Sequence, residues 1–446
     1  MGHRVTSADI PVNGEQLPKS KVQIVMFFTG AIALLGLITS AIFLWGNPEK
    51  ASELKGNYSF SWLFAVFYFF TIALGGCFWT LLHNVSNSGW GTSIRRLMEN
   101  VGFVFPFIFV FAIPLLFPSV QAYLFEWMTE HRDAISEASD KSAPIKDILN
   151  ERGHQHDGLL ANKAWYMNLE FWHGRFLVFF LGLSFVIWKL RKLSVDQDTC
   201  TSPGTTRLFK ARAMSSWGIA VFAVTLTFIA VDWVMGLDYT WFSTMWGVYV
   251  FAGSALNSMA VIVIVSILLR KAGYLKKVVG PEHDHLMGKL MFAFTIFWAY
   301  ISFSQFFLYW YANVTEETRY FILRNTENWN ILSYVLVFGH FGAPFLLLLR
   351  SDVKKKNIFM LIMAVYLLGM HFLDVYHMII PERGPSVGNI VNHDPKLWMP
   401  GAWIGDIIAF IIVGCGFVFF LLRNLTSVSL YPHRDPRILE SANVHN

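Results

Sequence analysis

Two imidazoles and a carboxylate recur at three-residue steps in MHFLDVYHMIIPE (370–382), a stretch otherwise apolar enough to cross a bilayer. On a helix His371, Asp374 and His377 are successive i,i+3 neighbours, which places the Asp374 carboxylate between the two rings on one face. A carboxylate flanked by imidazoles holds or passes a proton near neutral pH, because each group biases the protonation of the other. Ionisable groups at membrane depth cost about 2.5–3.5 kcal/mol at a helix centre, so they are the strongest functional signal in such a segment. The competing reading is a satisfied His–Asp pair that only ties two helices together.

Other polar side chains fall at the same depth. Asp232 closes one apolar stretch in AVDWVMGLD, and His173 and Arg175 open another in LEFWHGRF. Asp406 opens the last one, and His340 sits mid-span in FGHFGAPF. Thr295, Trp298, Ser302, Gln305 and Tyr309 alternate steps of three and four, which is a single helical stripe. Asp232, Arg175 and Asp406 lie near the interface, where long side chains reach water cheaply, so a structural role is equally expected of them. A stripe like that of 295–309 more often packs helices than lines a pathway.

The elements that position these groups follow from composition. Of 446 residues 54% are hydrophobic and 17% aromatic, and only 15% are charged, against about 25% in soluble domains. This is the balance of an all-α polytopic membrane protein. Ten apolar stretches reach the roughly 20 residues that a hydrocarbon core demands: 22–45, 59–83, 101–125, 171–190, 214–235, 242–269, 285–312, 329–349, 358–380 and 403–422. Pro114 and Pro118 interrupt the third. Residues 1–21 are polar and do not resemble a cleaved signal, so the first span is expected to be retained. Lys and Arg in the tails and alternate loops outnumber those in the opposite loops roughly two to one, which predicts cytoplasmic tails at 1–21 and 423–446.

The opposite loop 127–170 holds eight acids and five bases, a docking surface for an extracytoplasmic partner or merely a solvated loop. The Pro-, Gly- and Asn-rich segment 381–402 reads as an irregular outer loop. The net charge of +5 is topology rather than a nucleic-acid signal. Cys77, Cys200 and Cys415 are far apart with no CxxC, which excludes covalent haem and thiolate-held iron–sulfur clusters within the chain.

Several of these stretches resemble a known family. LLHNVSNSGWGTSIRRLMEN (81–100), VDWVMGLDYTWFSTMWGVYVFAG (231–253), HDHLMGKLMFAFTIFWAYISFSQFFLYWYANVTEET (283–318), FGHFGAPFLLLL (338–349) and the 370–382 segment are similar to quinone-binding subunit 2 of bacterial alternative complex III. That is a quinol:cytochrome c oxidoreductase subunit of the NrfD-like, polysulfide-reductase membrane-subunit superfamily. The resemblance runs from about residue 22 to 425. It implies ten transmembrane helices in the bacterial inner membrane, with two four-helix bundles, spans 2–5 (59–241) and 6–9 (242–380). Two flanking helices lie in 22–58 and 381–422. It further implies a subunit without covalent or metal cofactor in a complex that oxidises a quinol, often menaquinol. Its expected partners are a sister NrfD-like quinol-binding subunit, an iron–sulfur subunit, multihaem and monohaem cytochrome c subunits, and a terminal oxidase.

On that reading His371, Asp374 and Asp232 are the candidates for proton transfer. Gln305, Tyr309, His340, His377, Arg175 and His173 are candidates for quinone contact or a proton path. Two positions depart from the family pattern. Val231 stands where the sister subunit commonly has a His before the Asp, and His377 stands where an aromatic is usual. Two further classes compete. A stand-alone ion- or proton-coupled transporter suits the buried acids, but neither an inverted repeat nor paired broken spans is visible. A b-type cytochrome would need facing histidines, for which His173 with His377 or His371 is the available pairing.

Overall fold

The computed structural model describes residues 4–46, 52–154, 156–200, 204–326, 328–392 and 401–445, side chains at 316 and 388–392 excepted. All regular structure among them is helical, and nine helices are long and apolar enough to cross a membrane. The long helices, in chain order, are α1 (Lys19–Leu44), α2 (Glu53–Val85), α3 (Thr92–Leu116), α4 (Leu169–Thr199), α5 (Thr206–Trp233), α6 (Trp246–Lys271), α7 (Pro281–Ala312), α8 (Trp329–Leu349), α9 (Asn357–Ile379) and α10 (Trp403–Ser427). The stretch 171–190 lies in α4, which is outside the set of nine; Arg175 stands near one end and Lys189, Arg191 and Lys192 near the other.

Position in the bundle shows in burial. α2 and α6 are the central pair, with 89% and 83% of their apolar windows buried, against 17% for α1 and 22% for α8. Gly75 lets α2 and α6 meet backbone to backbone: a Cβ there would stand 2.0 Å from the Ser254 carbonyl oxygen. Small residues at such crossings are how membrane helices gain packing without a hydrophobic drive between them. α1 packs on α10, and α4 on α5.

Three helical breaks have identifiable causes. α3 is split into Thr92–Gly102, Phe105–Ala112 and a 3₁₀ turn at Ile113–Leu116, with Pro106 and Pro114 at the restarts. Trp62 Nε1 donates to the Phe111 carbonyl (2.8 Å), satisfying an acceptor at the break, as a proline-broken span requires. The expected single stretch 101–125 is therefore shifted and divided, its remainder forming a separate helix, Pro118–Leu124. α8 carries a π-helical segment at Leu336–Gly342 immediately before Pro344, which has no N–H to close an α-helical bond with the His340 carbonyl. The segment expected as an irregular loop is instead helical through Ile380–Glu382 and Arg383–Asn392, while 393–400 lie outside the described residues.

Loop 127–170 folds into helices Glu126–Glu137, Ile145–Arg152 and Asp157–Lys163. Arg152 fastens them, reaching Asp157 (2.6 Å) and Glu130 (2.5 Å). Both tails share one side of the molecule, where Val5 pairs with Asn443 and Leu430 with Glu15. We call the opposite side the far side.

Candidate functional site

Asp374 sits on α9 facing α6 and α7, 1% exposed. The Tyr249 hydroxyl of α6 donates to its Oδ1 and Trp298 Nε1 of α7 to its Oδ2 (3.1 Å). Both donors are neutral. On the same helix His371 holds Nδ1 4.0 Å from Asp374 Oδ2, and its Nε2 lies 2.8 Å from Thr71 Oγ1 of α2. Thr71 has one hydroxyl proton, and the Tyr68 carbonyl takes it at 2.7 Å. The His371 Nε2 is therefore the donor to Thr71, which leaves Nδ1 as a lone pair aimed at a carboxyl oxygen. Two acceptors facing each other in a dry site are accommodated by a proton shared between them. Gly253 of α6 makes the room: a Cβ there would come 3.3 Å from His371 Cε1 and 3.9 Å from Asp374 Oδ2.

His340 extends this cluster. It is fully buried in the π-helical part of α8, its ring centroid 4.0 Å from that of Trp298, and neither ring nitrogen has a partner. The Tyr366 hydroxyl donates to the Gly339 carbonyl (2.8 Å) and pins the π segment against α9.

The remaining polar residues form other groupings. Arg175 and Asp232 make a two-pronged pair, Nε to Oδ2 and Nη2 to Oδ1 both at 2.9 Å, with the Tyr166 hydroxyl also donating to Oδ1 (2.9 Å). The guanidinium lies over the Tyr166 ring at 3.9 Å and that of Phe171 at 4.4 Å. Beside this pair is a pocket of about 220 Å³, walled by Trp127, Trp172, Trp241 and Phe242. Asp406 is held by both Arg383 terminal nitrogens (2.9 and 3.0 Å), by Tyr376 (3.0 Å) and by Ser61 (2.6 Å).

His377 does not join Asp374. Each i,i+3 step rotates a side chain by about 60°, so His377 lies roughly 120° from His371 and reaches Ser333 of α8 (3.1 Å). His173 also stands apart, with Nδ1 at the Leu169 carbonyl (2.6 Å) and Nε2 at Gln121 (3.0 Å). Both of its nitrogens are thus spent, and His371 and His377 point theirs at Thr71 and Ser333 rather than at a common axis. Gln305 accepts from Ser243 (2.7 Å), and Tyr309 donates to the Phe242 carbonyl. They brace the α5–α6 connection and make no hydrogen bond to His371 or Asp374. Of the stripe 295–309, Trp298 is the residue that hydrogen-bonds to Asp374 among the described residues.

Several residues escaped the sequence reading. Tyr249 and Thr71 complete the Asp374 site from α6 and α2, and only the fold brings them there. Arg324 binds Glu382 (2.9 Å) and the carbonyls of His377 (2.9 Å) and Met378 (2.7 Å), capping α9 with a positive charge. On the tail side Glu99 lies between Arg95 (3.3 Å) and Arg96 (3.2 Å), which also bind Asp435 (2.7 Å) and Asp198 (2.9 Å). Burial would raise Asp435, but Arg95 and Arg437 together outweigh it and hold that carboxyl below its usual range. RR at 95–96 with E at 99 was a readable helical charge pattern; its distant partners were not.

Among the described residues no three His, Cys, Asp or Glu side chains converge as a metal site. No known family model matches the chain, and no curated protein is significantly similar to it. The class that the fold defines is an all-helical, multi-pass membrane protein.

Proposed function

We propose that this chain is the proton-handling membrane subunit of a respiratory quinol oxidoreductase of the alternative complex III kind. In this reading it has ten spans in the bacterial inner membrane, both tails cytoplasmic, with spans 2–5 and 6–9 as the two bundles and spans 1 and 10 flanking. One observation carries the assignment. Buried Asp232, Asp284, Glu382 and Asp406 each hold an arginine, whereas Asp374 is met by a hydroxyl, an indole and an unprotonated imidazole nitrogen. A fixed charge pair needs no proton; Asp374 with His371 needs one. Closing their 4.0 Å gap by about 1 Å would form a direct hydrogen bond. His340 is the next bare acceptor beyond Trp298.

The resemblance supplies a quinol as the source of protons. The 220 Å³ pocket fits a quinone ring: its walls are aromatic, and Trp241 Nε1 is a buried donor without a partner. Trp241 would hold a ring oxygen there, and Arg175 with Asp232 would fix the polar edge. When bound, the quinone supplies two-electron, two-proton redox chemistry. The haem and iron–sulfur centres belong to partner subunits.

The test is the assembled complex in vesicles carrying Asp374→Asn or His371→Ala. Quinol turnover should persist while proton movement per electron falls. Unchanged proton stoichiometry in both variants would remove the assignment. A stand-alone transporter would instead move its ion without any redox partner.

A further inference from the structure

We propose that the groove between α1, α2 and α10 binds one phospholipid whose headgroup carries a primary ammonium. The groove encloses about 710 Å³, within the range of built ligand sites. It opens at the far side, where α1 ends and α2 and α10 begin. Its floor runs down α10 through Ile404, Ile408 and Ile412. From the start of α10 to Ile412 is about 14 Å along the helix, close to the hydrocarbon thickness of one leaflet, about 15 Å. Polar mouth and apolar floor therefore have the dimensions of one lipid standing in the far-side leaflet.

Charge at the mouth selects the headgroup. Glu53 lines it as a carboxylate, and among the described residues no cation forms an ion pair with it. One turn further Asn57 presents a buried Oδ1 with no hydrogen-bond partner. Both groups accept. Ser40 and Tyr58, deeper in the same wall, are already joined at 2.7 Å. Lys55 is not part of the lining, and its amino group is engaged by the Trp45 carbonyl (3.2 Å). Phosphate oxygens would meet acceptors with acceptors, and a glycerol headgroup brings only neutral hydroxyl donors to the Glu53 carboxylate. An ammonium brings three donors to Glu53 and Asn57 while its acyl chain lies on the isoleucines.

The test is native mass spectrometry of the full chain taken from vesicles of equal phosphatidylethanolamine and phosphatidylglycerol. One phosphatidylethanolamine per chain is expected, favoured about tenfold, which is what one charge-assisted hydrogen bond confers. Ile408→Trp, at a half-exposed position, should fill the groove and abolish retention. Glu53→Gln with Asn57→Leu should bring the two lipids to parity without emptying the groove. Equal retention by the unaltered protein, a groove that stays empty or takes up a quinone or peptide, or retention that survives Ile408→Trp would each overturn the proposal. Should Ile408→Trp fail to fold, the Glu53/Asn57 variant decides on selectivity alone.

Discussion

Replacing Asp374 and Asp232 by Asn, one at a time, separates a proton site from a structural ion pair. The two positions are alike in burial and differ in partners. Asp232→Asn leaves the Arg175 guanidinium without its counter-charge in a wall of aromatic rings. Breaking one side of a buried pair costs about 3–5 kcal/mol. Asp374→Asn keeps an acceptor for the Tyr249 hydroxyl and turns an amide N–H toward Trp298 Nε1. One neutral donor loses its acceptor, at a cost of about 1–2 kcal/mol. The expected gap of roughly 2 kcal/mol is close to a thirtyfold difference in folding equilibrium. Titrating the purified chain with a denaturing detergent and following circular dichroism measures it. Arg175→Met combined with Asp232→Leu should recover most of the loss, because an uncharged pair of similar volume removes the stranded cation. If Asp374→Asn unfolds as readily as Asp232→Asn, Asp374 is a fixed charge and the proton argument fails.

Three other outcomes follow from particular contacts. His131, packed on Trp127 in the helix Glu126–Glu137, which is not one of the nine candidate spans, is pushed from 6.5 to about 4 by burial, with Arg152 adding to the shift. Its neutral form is the folded one, so the unfolded chain takes up the proton first, and stability present above pH 6.5 is lost as pH falls toward 4. Up to about 3 kcal/mol is involved; hydrogen exchange in that helix should accelerate over this window, and less so in His131→Leu. Gly75→Ala drives a methyl into the Ser254 carbonyl; overpacking of that severity costs at least about 3 kcal/mol, read as a collapse in folded yield. Pro344→Ala restores the N–H that an α-helical bond to His340 lacks. The π segment should then tighten, His340 should leave Trp298, and the Trp298 contribution to fluorescence should change, an effect that Pro344→Gly should share.

How much of this was legible depended on whether the determinant was local. Apolar runs fix α1 and α10 to within a few residues, since 22–45 and 403–422 fall on Lys19–Leu44 and Trp403–Ser427. The start of α3 was missed because SIRRLMEN is polar yet buried in protein, its arginines answered by Asp435 and Asp198. Nothing near residue 95 announces a partner more than three hundred positions away. The segment after Pro381 was misread for the same reason. Its Pro and Gly content argues for a loop, but Glu382 finds Arg324 and Arg383 finds Asp406, which holds the backbone helical against its composition. Arg175 and Asp232 were each singled out by depth, while their union depends on how α4 and α5 lie together. Periodicity places His377 on the Asp374 face, but three residues per step is not a full turn, and the drift carries it to α8.

The location of the Asp374 site follows from the same small residues that build the core. Gly75 brings α2 onto the Ser254 carbonyl, and Gly253, the preceding residue, opens space for His371 and Asp374. Gly75 on α2 thus sets how closely α2 packs on α6, and Gly253 on α6 sets how deeply α9 inserts its ionisable pair. With larger residues at either, Thr71 of α2 could not reach His371 Nε2, and Nδ1 would lose its fixed orientation toward the carboxyl. The tautomer of His371 is therefore a consequence of helix packing. Gly253→Ala tests this dependence: its Cβ contact at 3.3 Å displaces the ring by a few tenths of an ångström. Histidine nitrogen resonances of the purified chain should then show the protonated nitrogen no longer confined to Nε2, whereas a tautomer unchanged in this variant would mean that packing does not set it.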